Sequence, residues 1–200
     1  GILQNTPRDN LIVVSMHIPL VNYETPNSSS DTTSDCAALL ELLSAFEHTV
    51  SFSGHQHTTE HHYLDAARGW SRPAPHHHHV LNAACGSWWC GPKDESGLPV
   101  AHSRDGCPKG FHILEVDGHR YTTRFVSPAN TQSRMRASII CRSTDDFASD
   151  WSVHHSIPHA ALANARLIVS VFDGGPRTKV SLRFAGSSAQ VVPAEPAPMA

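Results

Sequence analysis

The residues best suited to chemistry are His55 and His57 in the stretch Ser53-Gly54-His55-Gln56-His57. They stand two residues apart, just past a glycine and a short apolar run, Thr49-Val50-Ser51-Phe52. Imidazole suits zinc, iron and other late transition metals. Gly54 is expected to take a turn that a β-carbon would resist. Residues i and i+2 share a face in a strand, whereas in a turn they can aim at two points. The pair therefore suits one metal or two adjacent ones. With 16 His in 200 residues, chance pairs are also expected, so the spacing alone leaves solvated histidines as the other reading.

The elements that must position this pair point upstream. Leu11-Ile12-Val13-Val14 is a continuous apolar run rich in β-branched residues, the pattern of a strand buried on both faces in a parallel sheet, and Ser15-Met16-His17-Ile18-Pro19 follows it. Pro19 ends that strand. A polar loop over 22–33 leads to a helix with Ser34 or Asp35 as N-cap. Its apolar stripe is Leu39, Leu40, Leu42, Leu43 and Phe46, and it stops near Glu47-His48. Strand, helix, strand with a right-handed crossover puts both carboxyl ends on one sheet edge. Open α/β sheets place their sites at that edge. His17, His55 and His57 should therefore converge there, and metal binding becomes the favoured reading.

The ordered set Met16-His17-Ile18-Pro19-Leu20, then Gly54-His55-Gln56-His57, resembles the last two metal motifs of the calcineurin-like metallophosphoesterases. The resemblance continues through His76 to Trp89, through Asp105-Gly106-Cys107-Pro108-Lys109-Gly110-Phe111 and through Val171-Phe172-Asp173-Gly174-Gly175-Pro176-Arg177. Together these are similar to the bacterial subgroup with an added C-terminal domain, and the similarity runs over nearly the whole chain. It implies a metal-dependent phosphoester hydrolase acting on a small-molecule phosphoester. Two divalent ions of the Mn, Fe or Zn class would be held, with His17 and His55 on one and His57 on the other. The family's Asp-x-His, Gly-Asp-x-x-Asp-like and Gly-Asn-His-Asp/Glu motifs do not occur here. The chain, which opens on Gly1, thus reads as the C-terminal part of a longer protein. The bridging carboxylate and the general acid, and so the catalytic residues, would belong to the missing N-terminal half, and the fragment alone is expected to be inactive. The subgroup leans toward bacterial envelope or secreted proteins.

Composition sets wider bounds. Apolar residues make 40% and charged residues 16%, ordinary for a globular chain. Net charge is −3 with only 15 Lys plus Arg, so no basic stripe suggests nucleic acid. No apolar run approaches the roughly 20 residues of a membrane helix. The five cysteines form no CxxC pair, and their spacing fits no zinc pattern. A different class of function, a non-catalytic His-rich module that holds metal or a partner, remains as the alternative.

Along the chain, 58–75 reads as a loop in which His61 and His62 could serve as second-layer donors or phosphate contacts. His76-His77-His78-His79 reads as the approach to a strand over 80–85. Trp88, Trp89 and Asp105 are expected to line the substrate cleft beside the metals. Phe111–Val116 and 119–126 around Asp117-Gly118 read as a hairpin with a type I′ turn that closes a second sheet. Strands are expected over 135–141, 167–172 and 180–184, with a turn at Asp173-Gly174-Gly175. The resulting fold class is α/β, mostly β: residues 1–128 as the C-terminal half of a phosphoesterase β-sandwich with a flanking helix, 129–192 as a small all-β domain, and 193–200 as a Pro/Ala-rich tail.

Overall fold

The computed structural model describes residues 2–25, 28, 30–85, 103, 105–128, 134–141, 160, 163, 165–182 and 192–193. Trp88, Trp89 and the tail from 194 onward lie outside them. The fold is mainly β, with a mixed sheet, one flanking helix and small additional sheets.

The central sheet has four strands in the order β1 (Leu11–Ser15), β2 (His48–Ser53), β4 (His76–Val80), β3 (Glu60–Leu64). β1, β2 and β4 run parallel and β3 runs antiparallel to β4. Helix α1 (Cys36–Leu43) crosses from β1 to β2. Its inward face places Leu40 and Leu43 in a core with Leu20, Val21, Leu64 and Trp70, while Leu42 points outward and is 53% exposed. The helix is shorter than its apolar pattern suggests. Phe46 is buried but lies in the turn beyond it. Asp35 is the N-cap residue, with no side-chain cap bond.

Three expectations need correction. β1 is buried on one face only: Ile12 and Val14 pack toward the helix core, while Val13 on the opposite face is 43% exposed. Among the described residues it pairs on one side, with β2. Part of 58–75 is a strand, β3, not loop. β4 consists of the histidines themselves, and 81–85 are not strand. The reason is common to the last two. The sequence His76–Val80 and its partner Glu60–Leu64 lack apolar alternation, yet their imidazoles pack inward, and those of His61, His62, His76, His77 and His78 are held by hydrogen bonds.

Alternation on β4 sends its histidines to two faces. On the helix face, the Leu20 amide donates to His78 Nε2 (3.1 Å). The His78 proton must then sit on Nδ1, facing Ser51 Oγ at 2.7 Å, and the Ser51 hydroxyl lies 2.8 Å from His76 Nε2. His76 Nδ1 in turn reaches Thr49 Oγ1 at 2.8 Å. Burial lowers His76 to about 4, so the whole run is neutral near pH 7. On the other face, His77 and His79 meet the hairpin β5 (Phe111–Asp117) and β6 (Arg120–Val126).

Asp117 pairs with Arg120, so the two turn residues are Gly118 and His119. Only Gly118 has positive φ (59°), the signature of a type II′ turn rather than the expected I′. Two further small sheets follow: β7 (Met135–Cys141) with β8 (Ala165–Val171), and β9 (Ser181–Leu182) with β10 (Val192–Pro193). Of the strand expected over 180–184, Ser181–Leu182 is strand, Val180 is not, and 183–184 lie outside the described residues. No helix among the described residues is long and apolar enough to cross a membrane.

Candidate metal centre

The parallel ladder of β1 and β2 continues past its strands and brings their ends together. The Met16 amide donates to the Phe52 carbonyl (3.0 Å) and the Gly54 amide to the His17 carbonyl (3.1 Å). This sets His17 Nε2 3.2 Å from His55 Nδ1. His17, His55 and His57 all line one cavity of about 320 Å³ at this edge, with Met16 and Asn82. The positive backbone angles fall on His55 (φ 73°) and His57 (φ 57°), not on Gly54. The glycine's freedom is therefore not what makes the turn. Left-handed histidines carry strain that persists where the surroundings over-determine it, commonly at functional sites.

The donor set fits a late transition cation. In tetrahedral coordination, nitrogens about 2.0–2.1 Å from zinc stand roughly 3.3 Å apart, close to the 3.2 Å between the two rings. The other nitrogen of His55, Nε2, lies 3.4 Å from Asp31 Oδ1. A carboxylate on the far side of a liganding imidazole fixes its tautomer and orientation. Asp31 sits in the loop that reads only as polar connection, and its spacing to the histidines carries no signal. It is held by the Ser28 hydroxyl (2.8 Å). That bond, with smaller help from His55, Ser30 and Thr25, keeps its carboxyl below the usual range.

The remaining expected site residues stand elsewhere. Asp105 does not line the cavity; its carboxylate accepts from the Thr59 amide (2.6 Å) and the Cys107 amide (2.9 Å), which pins the chain just past His57. Burial raises its carboxyl above the usual value. His62 is buried against Glu60 Oε2 (2.7 Å). His61 points to the hairpin face, with Nδ1 2.9 Å from His77 Nε2 and Nε2 3.0 Å from Asp173 Oδ1.

That face joins His61 to groups the sequence reading did not place at a site: His77, His79, His112 and Asp173. His61, His77 and His79 form one cluster with metal-type donors, and His79, His112 and Asp173 form a second, each with donor atoms within 4.8 Å of one another. His79 belongs to both. Burial lowers His79 to about 4 in spite of the neighbouring Asp173, so its ring is neutral, the liganding form. For Asp173, burial alone would raise the carboxyl, but His112, His61 and His79 outweigh it and hold it well below the carboxylate range. The signal available in sequence was the Phe172-Asp173-Gly174-Gly175 motif, whose turn was legible but whose long-range partners were not.

The C-terminal model of the calcineurin-like phosphoesterases matches residues 78–197. The chain belongs to that family. This calcineurin-like phosphoesterase C-terminal region is matched from His78 in β4 through the hairpin and Asp173, while His17, His55 and His57 lie upstream of the matched span. No curated protein and no solved structure matches the chain.

Proposed function

We propose that this chain is part of a metal-dependent phosphoester hydrolase and that His17, His55 and His57 contribute metal ligands to its site. The observation that supports this reading most is the convergence of the three imidazoles on one cavity, with His17 Nε2 and His55 Nδ1 3.2 Å apart. Two divalent ions, when bound in such a site, neutralise charge on phosphoryl oxygens and acidify water. The chain's own residues orient the donors. Asp31 holds His55 by its far nitrogen, and the Gly54–His17 backbone bond keeps the two loops in register. Asn82 lines the same cavity, with its side-chain amide donating to the Pro108 carbonyl (2.7 Å) and its Oδ1 accepting from the Ser103 hydroxyl, so it braces the wall. Two cations about 4 Å apart repel strongly, so bridging carboxylates are needed. In this reading they come from the family's N-terminal motifs.

The test is titration of Mn(II), Zn(II) and Fe(II) into the chain, and hydrolysis of an aryl phosphodiester by the protein that carries these residues with the N-terminal motifs. His55→Ala should abolish turnover and weaken uptake at this edge. Full turnover by the His55→Ala protein would overturn the assignment. The runner-up, a metal-holding module without catalysis, is favoured by the buried histidine clusters and predicts stoichiometric metal with no turnover.

A further inference from the structure

The hairpin face of β4 carries a second arrangement that the edge site does not use. Asp173 stands in the turn after β8 with φ 63°, a left-handed conformation for a residue with a β-carbon. Its Oδ1 lies 3.0 Å from His61 Nε2, 3.0 Å from His79 Nε2 and 3.1 Å from His112 Nε2. These side chains come from β3, β4, β5 and the turn after β8, so the node joins the central sheet, the hairpin and the C-terminal strands.

Protons alone do not satisfy it. The contacts from His61 and His112 are hydrogen bonds. The His79 contact has the distance but not the alignment, and neither of its ring nitrogens makes a hydrogen bond among the described residues. His79 is fully buried, with 0% side-chain exposure. An unserved buried donor or acceptor costs about 1–3 kcal/mol. One buried imidazole thus lies 3.0 Å from a carboxylate without a hydrogen bond to it. The rings of His79 and His112 meet edge to face at 83°, with centroids 4.8 Å apart, and the donor atoms of His79, His112 and Asp173 all lie within 4.8 Å of one another.

The partners around this point are built to hold it. His61 donates from Nε2 to Asp173, so in its neutral form Nδ1 must accept. His77 supplies that proton from Nε2 (2.9 Å) and accepts at Nδ1 from the Tyr121 hydroxyl (2.6 Å). This chain fixes the carboxylate as the ion's outer partners do in known sites. Phe52 flanks His79 and Phe125 flanks His112, which walls the point with apolar rings.

We propose that His79 Nε2, His112 Nε2 and Asp173 Oδ1 form a binding site for a divalent cation of the zinc class, separate from the edge site, that fastens the C-terminal strands to the central sheet. Two imidazoles and a carboxylate suit Zn(II), with a fourth position left for a small ligand. His61 acts on the carboxylate, not on the ion. To ligate through Nε2, His112 must give up the hydrogen bond it makes to Asp173 and carry its proton on Nδ1 instead.

The test uses the full chain with His17→Ala/His55→Ala, which removes the edge pair, and probes it with Zn(II) and Co(II). This variant should retain one equivalent of Zn(II) through gel filtration. Its zinc absorption-edge fine structure should show two imidazoles among nitrogen and oxygen donors only. Adding Asp173→Asn, or His112→Ala in its place, should weaken zinc binding at least tenfold and change the visible Co(II) spectrum. Loss of zinc in the edge variant, a sulfur or single-imidazole environment, or an unchanged affinity and Co(II) spectrum after Asp173→Asn would overturn the proposal. Should the Asp173 and His112 variants fail to fold, the fine structure of the edge variant decides alone. Failure of phosphoester turnover leaves this test untouched, because no arm of it reads activity.

Discussion

At the residue scale, the histidines at the sheet edge combine a donor atom with an unusual backbone. His55 is left-handed, and asparagine tolerates that region far better than a β-branched residue does. His55→Asn and His55→Val should both lose metal at the edge. His55→Val should in addition be less stable by about 1–3 kcal/mol, readable as a lower urea midpoint with the same slope. Equal midpoints would mean that the turn relaxes freely. Asp31 tests the outer contact. Asp31→Asn keeps size but weakens the hold on His55 Nε2. Its zinc affinity at the edge should drop roughly 10–100-fold, measured by competition with a chromophoric chelator in a chain whose Asp173 is also replaced. The positions of His17, His55 and His57 were legible because strand ends announce themselves by apolar runs. Asp31 was not, because a loop residue's contact depends on how 22–33 folds back.

At the element scale, β4 shows why a polar strand escapes a pattern built on apolar alternation. Four consecutive histidines carry no period, and their burial is made possible by Ser51 and Thr49 on one face and by Tyr121 and Asp173 on the other. The same pattern misses β3, whose His61 is buried by a bond to the sequence-distant Asp173 and whose His62 bonds Glu60 two residues back. β1, β2, the hairpin and β7 were legible, since each presents an apolar or alternating run between turn residues. The helix-face histidines give β4 a pH limit. His76 falls from 6.5 to about 4 on burial. Between these values the unfolded chain binds a proton that the folded chain refuses, so stability is full above about pH 6.5 and declines as pH falls toward 4. A shift of this size corresponds to roughly 3 kcal/mol. Urea denaturation from pH 7 to 4.5 should show at least that loss, and His76→Gln should reduce the slope without abolishing it, because burial lowers His77, His78 and His79 as well. A slope unchanged by His76→Gln would place the titration elsewhere.

At the scale of the whole molecule, the turn at 173–175 is where the C-terminal strands meet the sheet. A β-carbon on Gly175 would come within 2.8 Å of the His61 β-carbon, and the Arg177 guanidinium lies 3.5 Å over the Tyr63 ring. Gly175→Ala should cost about 1–3 kcal/mol as overpacking, seen as a lowered thermal midpoint. A division near residue 128 is expected to show as proteolysis between 127 and 132, with Arg134 just beyond. Because cleavage tracks the population of the open form, Asp173→Asn should accelerate cutting at Arg134 by an order of magnitude or more. Unchanged cutting would mean that this joint is held by other contacts.

The run of four histidines has a consequence for how the sheet finds its alignment. A strand that slips by one residue moves every side chain to the opposite face. In β4 such a slip would still present a histidine at three of the four positions, since His76 through His79 are identical. The strand therefore carries almost no address of its own. Only Pro75 and Val80 mark its ends, and the aligned pairing Val50↔His77, Ser51↔His78 must be chosen by what each face offers an imidazole. That choice depends on the Ser51 hydroxyl and on the Tyr121 hydroxyl of the hairpin, both distant in sequence from β4. A misaligned intermediate should accumulate during refolding, and His77→Thr, which labels one position, should shorten its lifetime more than it alters the equilibrium stability measured on the same samples.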